Sequence, residues 1–459
     1  MDSIANDRSR WVDKWTFMHT NEGVRPFRVM DDLTFVGVPL FLAGIIAKSE
    51  KRAFRQNDGT EHVLVTSFHT NIDDYLQYFS PVLTVGLKVG GVEGRSDWGR
   101  FLAAAAMSYG FEVILVNSIK YTAKEQRPDG TSHNAWPSGH TATSFAGATI
   151  LHKEYGLTRS PWYSVAGYGV ATATAILRIL NNRHWVSDIL SGAGIGIMST
   201  ELGYALSDVF FKGKGLLRNN IDSIASIIQR PSFFAISMGV GIGSPRMHFP
   251  LDGLDCAGLN LSFRPSTMVS VESAYYINRY LGFGGRLRLN SAPIDGWNRV
   301  LDLAGHDPAH PLTYEIESDH LTEFAADLGV YANYPLSNRF AVGTKLLTGR
   351  SIMQELNLRA HDMQTVVLDD GTESVSDTSW DYFMLNANNT WHVGTGLSMT
   401  YAYKNNFAFR AFTEYDFTRK TYTLYYTPPT FMAGQQAQQH SLSKARHTLI
   451  FGASVAVDF

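Results

Sequence analysis

The sequence predicts a two-part chain: an all-α helical bundle over residues 1–211, a linker over 212–231, and an all-β, eight-stranded antiparallel transmembrane barrel over 232–459. Three observations carry that prediction. The apolar segments before Phe211 are too long for ordinary strands and are rich in Gly, Ala, Ser and Thr. After Arg230-Pro231 the texture changes to an alternation of apolar and polar residues. The chain closes on one more alternating segment, which ends in the aromatic Phe459. At 459 residues there is room for two or three domains.

Six segments read as helices, at 33–48, 72–90, 98–122, 138–154, 161–180 and 185–211. The small residues in Ala103-Ala104-Ala105-Ala106 and Ser191-Gly192-Ala193-Gly194-Ile195-Gly196 let helix backbones approach closely. A membrane-spanning helix needs about 20 mainly apolar residues. Trp162 to Leu177 is shorter and stops at Arg178, and other segments are interrupted by Glu112, Lys88 or Asp188. The expectation is a compact bundle lying on or partly in a membrane. Lys212 to Gln229, with Leu216, Leu217, Ile221, Ile224, Ile227 and Ile228, reads as an amphipathic connector along a leaflet or docked on the bundle.

The second half offers strands at 232–240, 266–278, 281–290, 320–334, 338–349, 390–403, 406–419 and 446–459. Their connections alternate between short turns (Asn278-Arg279-Tyr280, Pro335 to Asn338, Lys404-Asn405-Asn406) and long polar loops. That asymmetry, with abundant Tyr and Phe, is the pattern of an outer-membrane barrel. A barrel of eight strands is filled by its own side chains and serves as an anchor more than a pore. The net charge of −3 gives no basic field for nucleic acid. Cys256 stands alone, so it forms no internal disulfide, and it reads as an ordinary loop residue. Met1 to Arg8 shows no basic-then-apolar segment, so an exported chain is expected to be a mature form with an added initiator Met.

The chemistry concentrates between Lys120 and Asp188. Six residues separate Lys120 from Arg127-Pro128; Pro137-Ser138-Gly139-His140 follows; Arg178 precedes His184 by five intervening residues and Asp188 by three more after that. In an up-down bundle these positions fall at four helix ends on one face. Lys120, Arg127 and Arg178 would cradle an anion, Arg in planar bidentate geometry. Ser138 is a good N-cap, and the free N–H groups behind it, Gly139's included, favour an anion. Asp188 lies four residues after His184, on the same helical face. Three cations in one pocket argue against a divalent metal on His140, His184 and Asp188, so no metal or cofactor is expected. His133 and Arg183 fall off the pattern and read as rim residues.

This ordered set resembles the active-site pattern of the type 2 phosphatidic acid phosphatase (PAP2) superfamily, K-x6-RP, PSGH, SR-x5-H-x3-D. The resemblance implies metal-free hydrolysis of a phosphate ester. It makes His184 the nucleophile that forms a phosphohistidine, and Asp188 the group that holds its tautomer. His140 protonates the leaving oxygen and then activates water, while Lys120, Arg127, Arg178, Ser138 and Gly139 bind the phosphate. Two departures stand out: Leu177 replaces the Ser before the Arg, and Pro128 to Pro137 is a short, tight lid. The last strand, His447 to Phe459, is similar to the terminal signal of bacterial outer-membrane proteins, which implies the barrel-insertion machinery as a partner. The implied topology hangs the helical domain in the periplasm beneath the outer membrane. A membrane-lipid substrate then follows: lipid A is favoured, with phosphatidylglycerol phosphate, phosphatidic acid and isoprenoid pyrophosphates behind it. The rival readings are a general acid phosphatase on soluble esters, a vanadium-dependent haloperoxidase, and a non-enzymatic barrel with a degenerate domain.

Overall fold

The computed structural model describes residues 17–48, 69–128, 131–220, 231–251, 258–295, 314–367, 373–427 and 436–459. Among the described residues eight helices come first: α1 (Val29–Asp32), α2 (Gly37–Lys48), α3 (Ile72–Leu76), α4 (Phe79–Val89), α5 (Trp98–Ala123), α6 (Gly139–Leu151), α7 (Trp162–Leu180) and α8 (Val186–Phe211). The expected segment 72–90 is two helices, α3 and α4, and one π-turn, His152–Gly156, extends α6. Capping fixes where the long helices begin. Asp97 accepts a hydrogen bond from the Arg100 N–H at 2.9 Å to start α5, and the Ser138 hydroxyl accepts from the Thr141 N–H at 3.4 Å to start α6.

Helix α8 is the axis of the bundle. It is buried over most of its length and packs against α2, α5 and α6. Its small residues permit this: a Cβ at Gly192 would lie 2.6 Å from the Ser138 carbonyl oxygen, and one at Gly194 2.6 Å from the Gly37 carbonyl oxygen. Close approach of the α6 start to α8 therefore depends on Gly192. Among the described residues, α5, α7 and α8 are long and apolar enough to cross a membrane, more than the sequence reading allowed. The first part of the connector docks on the bundle, with Leu216 fully buried and Asp97 N–H donating to the Gly215 carbonyl at 2.8 Å. Ile221, Ile224, Ile227, Ile228 and Cys256 lie outside the described residues.

The second half is β-structure: β1 (Phe233–Ile242), β2 (Met247–Phe249), β3 (Leu259–Phe263), β4 (Ser266–Tyr276), β5 (Leu281–Ala292), β6 (Ile294–Asp295), β7 (Tyr314–Ser318), β8 (Leu321–Pro335), β9 (Phe340–Met353), β10 (Leu356–Val367), β11 (Glu373–Ala387), β12 (Thr390–Ala402), β13 (Phe407–Tyr426) and β14 (Gln438–Asp458). Eleven of them form one sheet in the order β12-β9-β8-β5-β4-β1-β14-β13-β11-β10-β7, and β12 also pairs with β13. The eight expected strands are among these eleven, and β7, β10 and β11 are additional to the expectation. The long loops fold into strands of their own: β13 and β14 run for 20 and 21 residues, and β11 adds to the far end of β13.

Side chains on this sheet alternate with an inverted polarity. One face buries ion pairs, such as Arg286–Asp327 at 2.7 Å, Lys345–Glu414 at 2.6 Å and Lys420–Glu323 at 2.6 Å. The other exposes large apolar groups, including Leu287, Leu328 and Leu397. The bundle packs on this apolar face. Phe234, Ile236, Val455, Phe407 and Val457 meet Val36, Leu40, Phe145, Tyr168 and Ile197. Topology had implied a domain hanging below the short-turn end of the sheet. Instead it lies alongside, because two apolar surfaces bury each other there.

The bundle also has a defined direction along the sheet. Trp162, at the start of α7, packs on Phe459 (4.8 Å between ring centroids) and Tyr275 (6.2 Å), and Asn405 donates to the Asp31 carbonyl at 2.7 Å. All three contacts are at the short-turn end. Ile179 and Val186, at the opposite end of the bundle, meet Met238, Val269 and Leu289 farther up the strands. The bundle end with Trp162 is also where buried charges gather. Arg95 grips Asp32 through two bonds of 2.6 and 2.7 Å and reaches Asp208 at 3.0 Å, while Lys153 lies 2.9 Å from Asp32. Asp32→Ala would leave buried Lys153 without a carboxylate and Arg95 with Asp208 alone, so we expect a loss of about 3–5 kcal/mol. Thermal loss of helical circular dichroism in detergent checks this; an unchanged melting temperature would mean the network contributes nothing.

Candidate active site

Four helix ends meet at the end of the bundle away from the short turns: the C-termini of α5 and α7 and the N-termini of α6 and α8. They are tied together by backbone bonds, above all Ser138 N–H to the Asp188 carbonyl at 3.0 Å, which joins the start of α6 to α8. Helix α7 ends through Asn181 N–H to the Leu177 carbonyl at 2.8 Å. Asn182 then takes a left-handed φ of 56°, which Asn tolerates, and the chain reverses into His184.

Lys120 leaves the last turn of α5 and donates from Nζ to the Asn134 carbonyl at 3.0 Å. Its ammonium stands 4.0 Å from where a Gly139 Cβ would be. Arg127 donates from Nε to Asn134 Oδ1 at 2.9 Å, and Ser132 Oγ reaches the same oxygen at 2.7 Å. The short segment between Pro128 and Pro137 is thus drawn down over the cations, with Arg127 N–H bonded to the Ser132 carbonyl at 2.9 Å. Residues 129–130 of that segment are outside the described set. His133 is exposed and Arg183 half-buried, both at the margin.

Arg178 is 6 % exposed, with Nη1 held 2.7 Å from Asp73 Oδ2. Its Nε is buried and has no partner among the described residues. His184 is almost fully buried, and Nδ1 lies 3.3 Å from Asp188 Oδ2. The carboxylate is held in turn by Trp185 N–H at 2.9 Å and Ser187 Oγ at 3.2 Å, so the imidazole is oriented by a fixed group. Burial, followed by the charges of Arg178, Lys120, Arg127 and His140, holds the His184 pKa well below the usual imidazole range. A neutral ring with Nδ1–H on the carboxylate keeps the Nε2 lone pair free.

His140 carries a contact that sequence reasoning missed. Its Nε2 lies 2.9 Å from Asp74 Oδ1, and the same oxygen is 3.5 Å from Arg178 Nη1. Burial and Arg178 lower the His140 pKa, and the bond to Asp74 opposes them. Asp73 and Asn181 complete the support of Arg178, bonded to each other at 2.9 Å. The only signal for these residues was the acidic pair Asp73-Asp74 opening an otherwise apolar segment. Asn134 had no signal beyond its place between the two motifs. All eight residues expected at the site (Lys120, Arg127, Ser138, Gly139, His140, Arg178, His184 and Asp188) are brought to this one end of the bundle. The arrangement offers an anion three cations, a helix N-terminus and two imidazoles.

Comparison with known proteins gives the same region. Residues 101–211 match the PAP2 superfamily. The chain is 43% identical over 253 residues to a lipid A 1-phosphatase of Porphyromonas gingivalis, an alignment covering 53% of this chain and 55% of that protein. It thus spans about half the length of the curated relative it matches. Among solved structures, Aquifex aeolicus LpxE shares 21% identity over 30% of this chain and 87% of that one, with a TM-score of 0.24. Neisserial surface protein A shares 10% identity over 50% of this chain and 97% of that one, also with a TM-score of 0.24. The match to the PAP2 superfamily thus falls on the part of the helical half that holds the four convergent helix ends and every residue expected at the site.

Proposed function

We propose that this chain is a metal-independent lipid phosphatase that removes a phosphate monoester through a phosphohistidine on His184, anchored in the outer membrane by its β-half. The observation that carries the reading is the convergence of Lys120, Arg127 and Arg178 around His184, with Asp188 behind its ring. His184 Nε2 attacks phosphorus, the bond from phosphorus to the ester oxygen breaks, and protonated His140 gives its proton to that oxygen. His140 then takes a proton from water as the water oxygen displaces His184, and inorganic phosphate leaves. Lys120, Arg127, Arg178 and the N–H groups behind Ser138 neutralise the charge on the transferring group throughout. The relative's lipid A activity favours lipid A as substrate, and the phosphate borne by phosphatidic acid or phosphatidylglycerol phosphate fits the same cradle.

The domains in this reading are the helical phosphatase (1–211), a linker (212–231) and a barrel (232–459). The eight strands β1, β4, β5, β8, β9, β12, β13 and β14 pair each with the next, and β14 with β1, which supports a closed transmembrane barrel. Ion pairs inside and leucines outside support lipid around it. Short turns and both barrel ends belong on the periplasmic side. The bundle lies along the wall with its catalytic end away from those turns. That end is therefore carried toward the leaflet bordering the long loops, and the substrate is drawn from the membrane rather than from the periplasm. Exposed Val113, Ile114 and Leu115 on α5 suit the same lipid surroundings.

Four outcomes test this reading. Phosphate release by detergent-purified protein without added metal should favour lipid A or phosphatidic acid over a small soluble ester. His184→Ala should lower it by at least about 10³-fold; full activity in that variant would remove His184 as nucleophile. Asp74→Asn withdraws the carboxylate that raises the His140 pKa, so that pKa falls further. Because His140 must be protonated to act as acid, the alkaline limb of kcat/KM should move to lower pH. A limb that stays in place would detach Asp74 from His140. Finally, His133→Cys in a Cys256→Ser background should react with a membrane-impermeant maleimide on intact cells. Reaction only after the outer membrane is permeabilised would return the site to the periplasm.

A further inference from the structure

Between α7, α8 and the apolar face of the sheet lies a cavity of ≈ 390 Å³. Its bundle wall includes Ala175, Ile179, Leu180, Val186 and Ile189, and its sheet wall Val271, Leu287, Leu289 and Phe324. Nothing charged lines the bundle wall, and Arg350 stands on the sheet wall. Leu180 at the C-terminal end of α7 and Val186 at the start of α8 line the cavity, so it reaches the end of the bundle that holds the cationic cradle. It follows α7 back from Leu180 to Thr172, roughly 12 Å at the helical rise.

An apolar groove of this kind, open along one side at Leu287 and Ile352, favours an apolar ligand over water. Cations at the same end of the bundle and apolar walls running away from them match an amphiphile with an anionic head and hydrocarbon tails. We propose that this cavity binds the acyl chains of the phosphorylated lipid substrate. The β-half then supplies one wall of the substrate site and is more than an anchor. This inference rests on the lipid-phosphatase reading and extends it to the tails.

Two measurements on the full chain test it. In detergent, Ala175→Trp and Leu287→Trp each narrow the cavity from one wall. The ratio of kcat/KM for phosphatidic acid to that for a small soluble phosphate ester should fall about tenfold or more in both. An unchanged ratio overturns the proposal. The second measurement needs no turnover: His184→Ala protein is irradiated with phosphatidic acid bearing a diazirine in its acyl chain, and the labelled residues are mapped. Label should concentrate on Ile179, Ile189 and Leu287, and be displaced by excess phosphatidic acid but not by diacylglycerol. Label spread evenly to Leu328 and Leu397, or displaced equally by diacylglycerol, would mean bulk lipid only and would refute the assignment. If the unsubstituted protein releases phosphate from neither substrate, the phosphatase reading fails by itself, and the labelling still decides what the cavity holds.

Discussion

Asp188 is the constraint on which the rest of the site depends. Its backbone carbonyl receives the Ser138 N–H, and its side chain receives the Trp185 N–H, the Ser187 hydroxyl and the His184 ring. One residue therefore fixes the start of α8, the start of α6 and the orientation of His184. The junction is close because Gly192, one turn further along α8, leaves room for the Ser138 carbonyl. A carboxylate with this many fixed donors is preorganised: it does not have to find the imidazole when substrate arrives. The cost of burying its charge is offset by those donors and by the three cations around it.

The sheet obeys the opposite polarity rule from the bundle's charged end, and that difference explains how the halves fit. Arg286, Arg288, Asp327, Glu414 and Asp416 are shut inside, paired with one another, while the aliphatic positions between them point out. A helical domain with an apolar flank can bury that flank only on the apolar face of such a sheet. Phe407 packs on His152 at 4.9 Å and Trp162 on Phe459, so the contact is anchored by aromatic rings near the short-turn end. Farther along, the surfaces separate and leave the cavity.

Most of this was legible in the sequence, for physical reasons that differ by region. The start of α6 carried its own cap, Ser138, and small residues at Gly192 and Gly194 announced close packing. The eight paired strands appeared through period-two alternation. The strands β10 and β11 did not, since they lie where long polar loops were expected. Residues that act through charge at a motif position could be read directly. Asp73, Asp74, Asn134 and Asn181 could not, because they meet their partners only after folding: Asp74 reaches His140 across 66 positions and Asp73 reaches Arg178 across 105. The direction of the bundle along the sheet was also hidden. It depends on matching surfaces of two halves, and no local pattern encodes that.

That direction changes what the β-half does for catalysis. An anchor alone would raise the effective concentration of membrane lipid by confining enzyme and substrate to the same surface. Docking alongside would go further under the proposed reading, because the cationic end of the bundle lies against the apolar wall of the sheet. A lipid diffusing along that wall would then meet the apolar cavity and the cations together. Its phosphate would have to displace the Asp74 carboxylate, which shares His140 and Arg178. A dianionic phosphate brings more charge and more acceptor oxygens than one carboxylate, and Arg178 Nε is already buried without a partner among the described residues. The exchange therefore favours the phosphate, and tail binding in the cavity would add to it. Headgroup and chains would then be selected at the same step, by donors from one half of the protein and a hydrocarbon wall from the other.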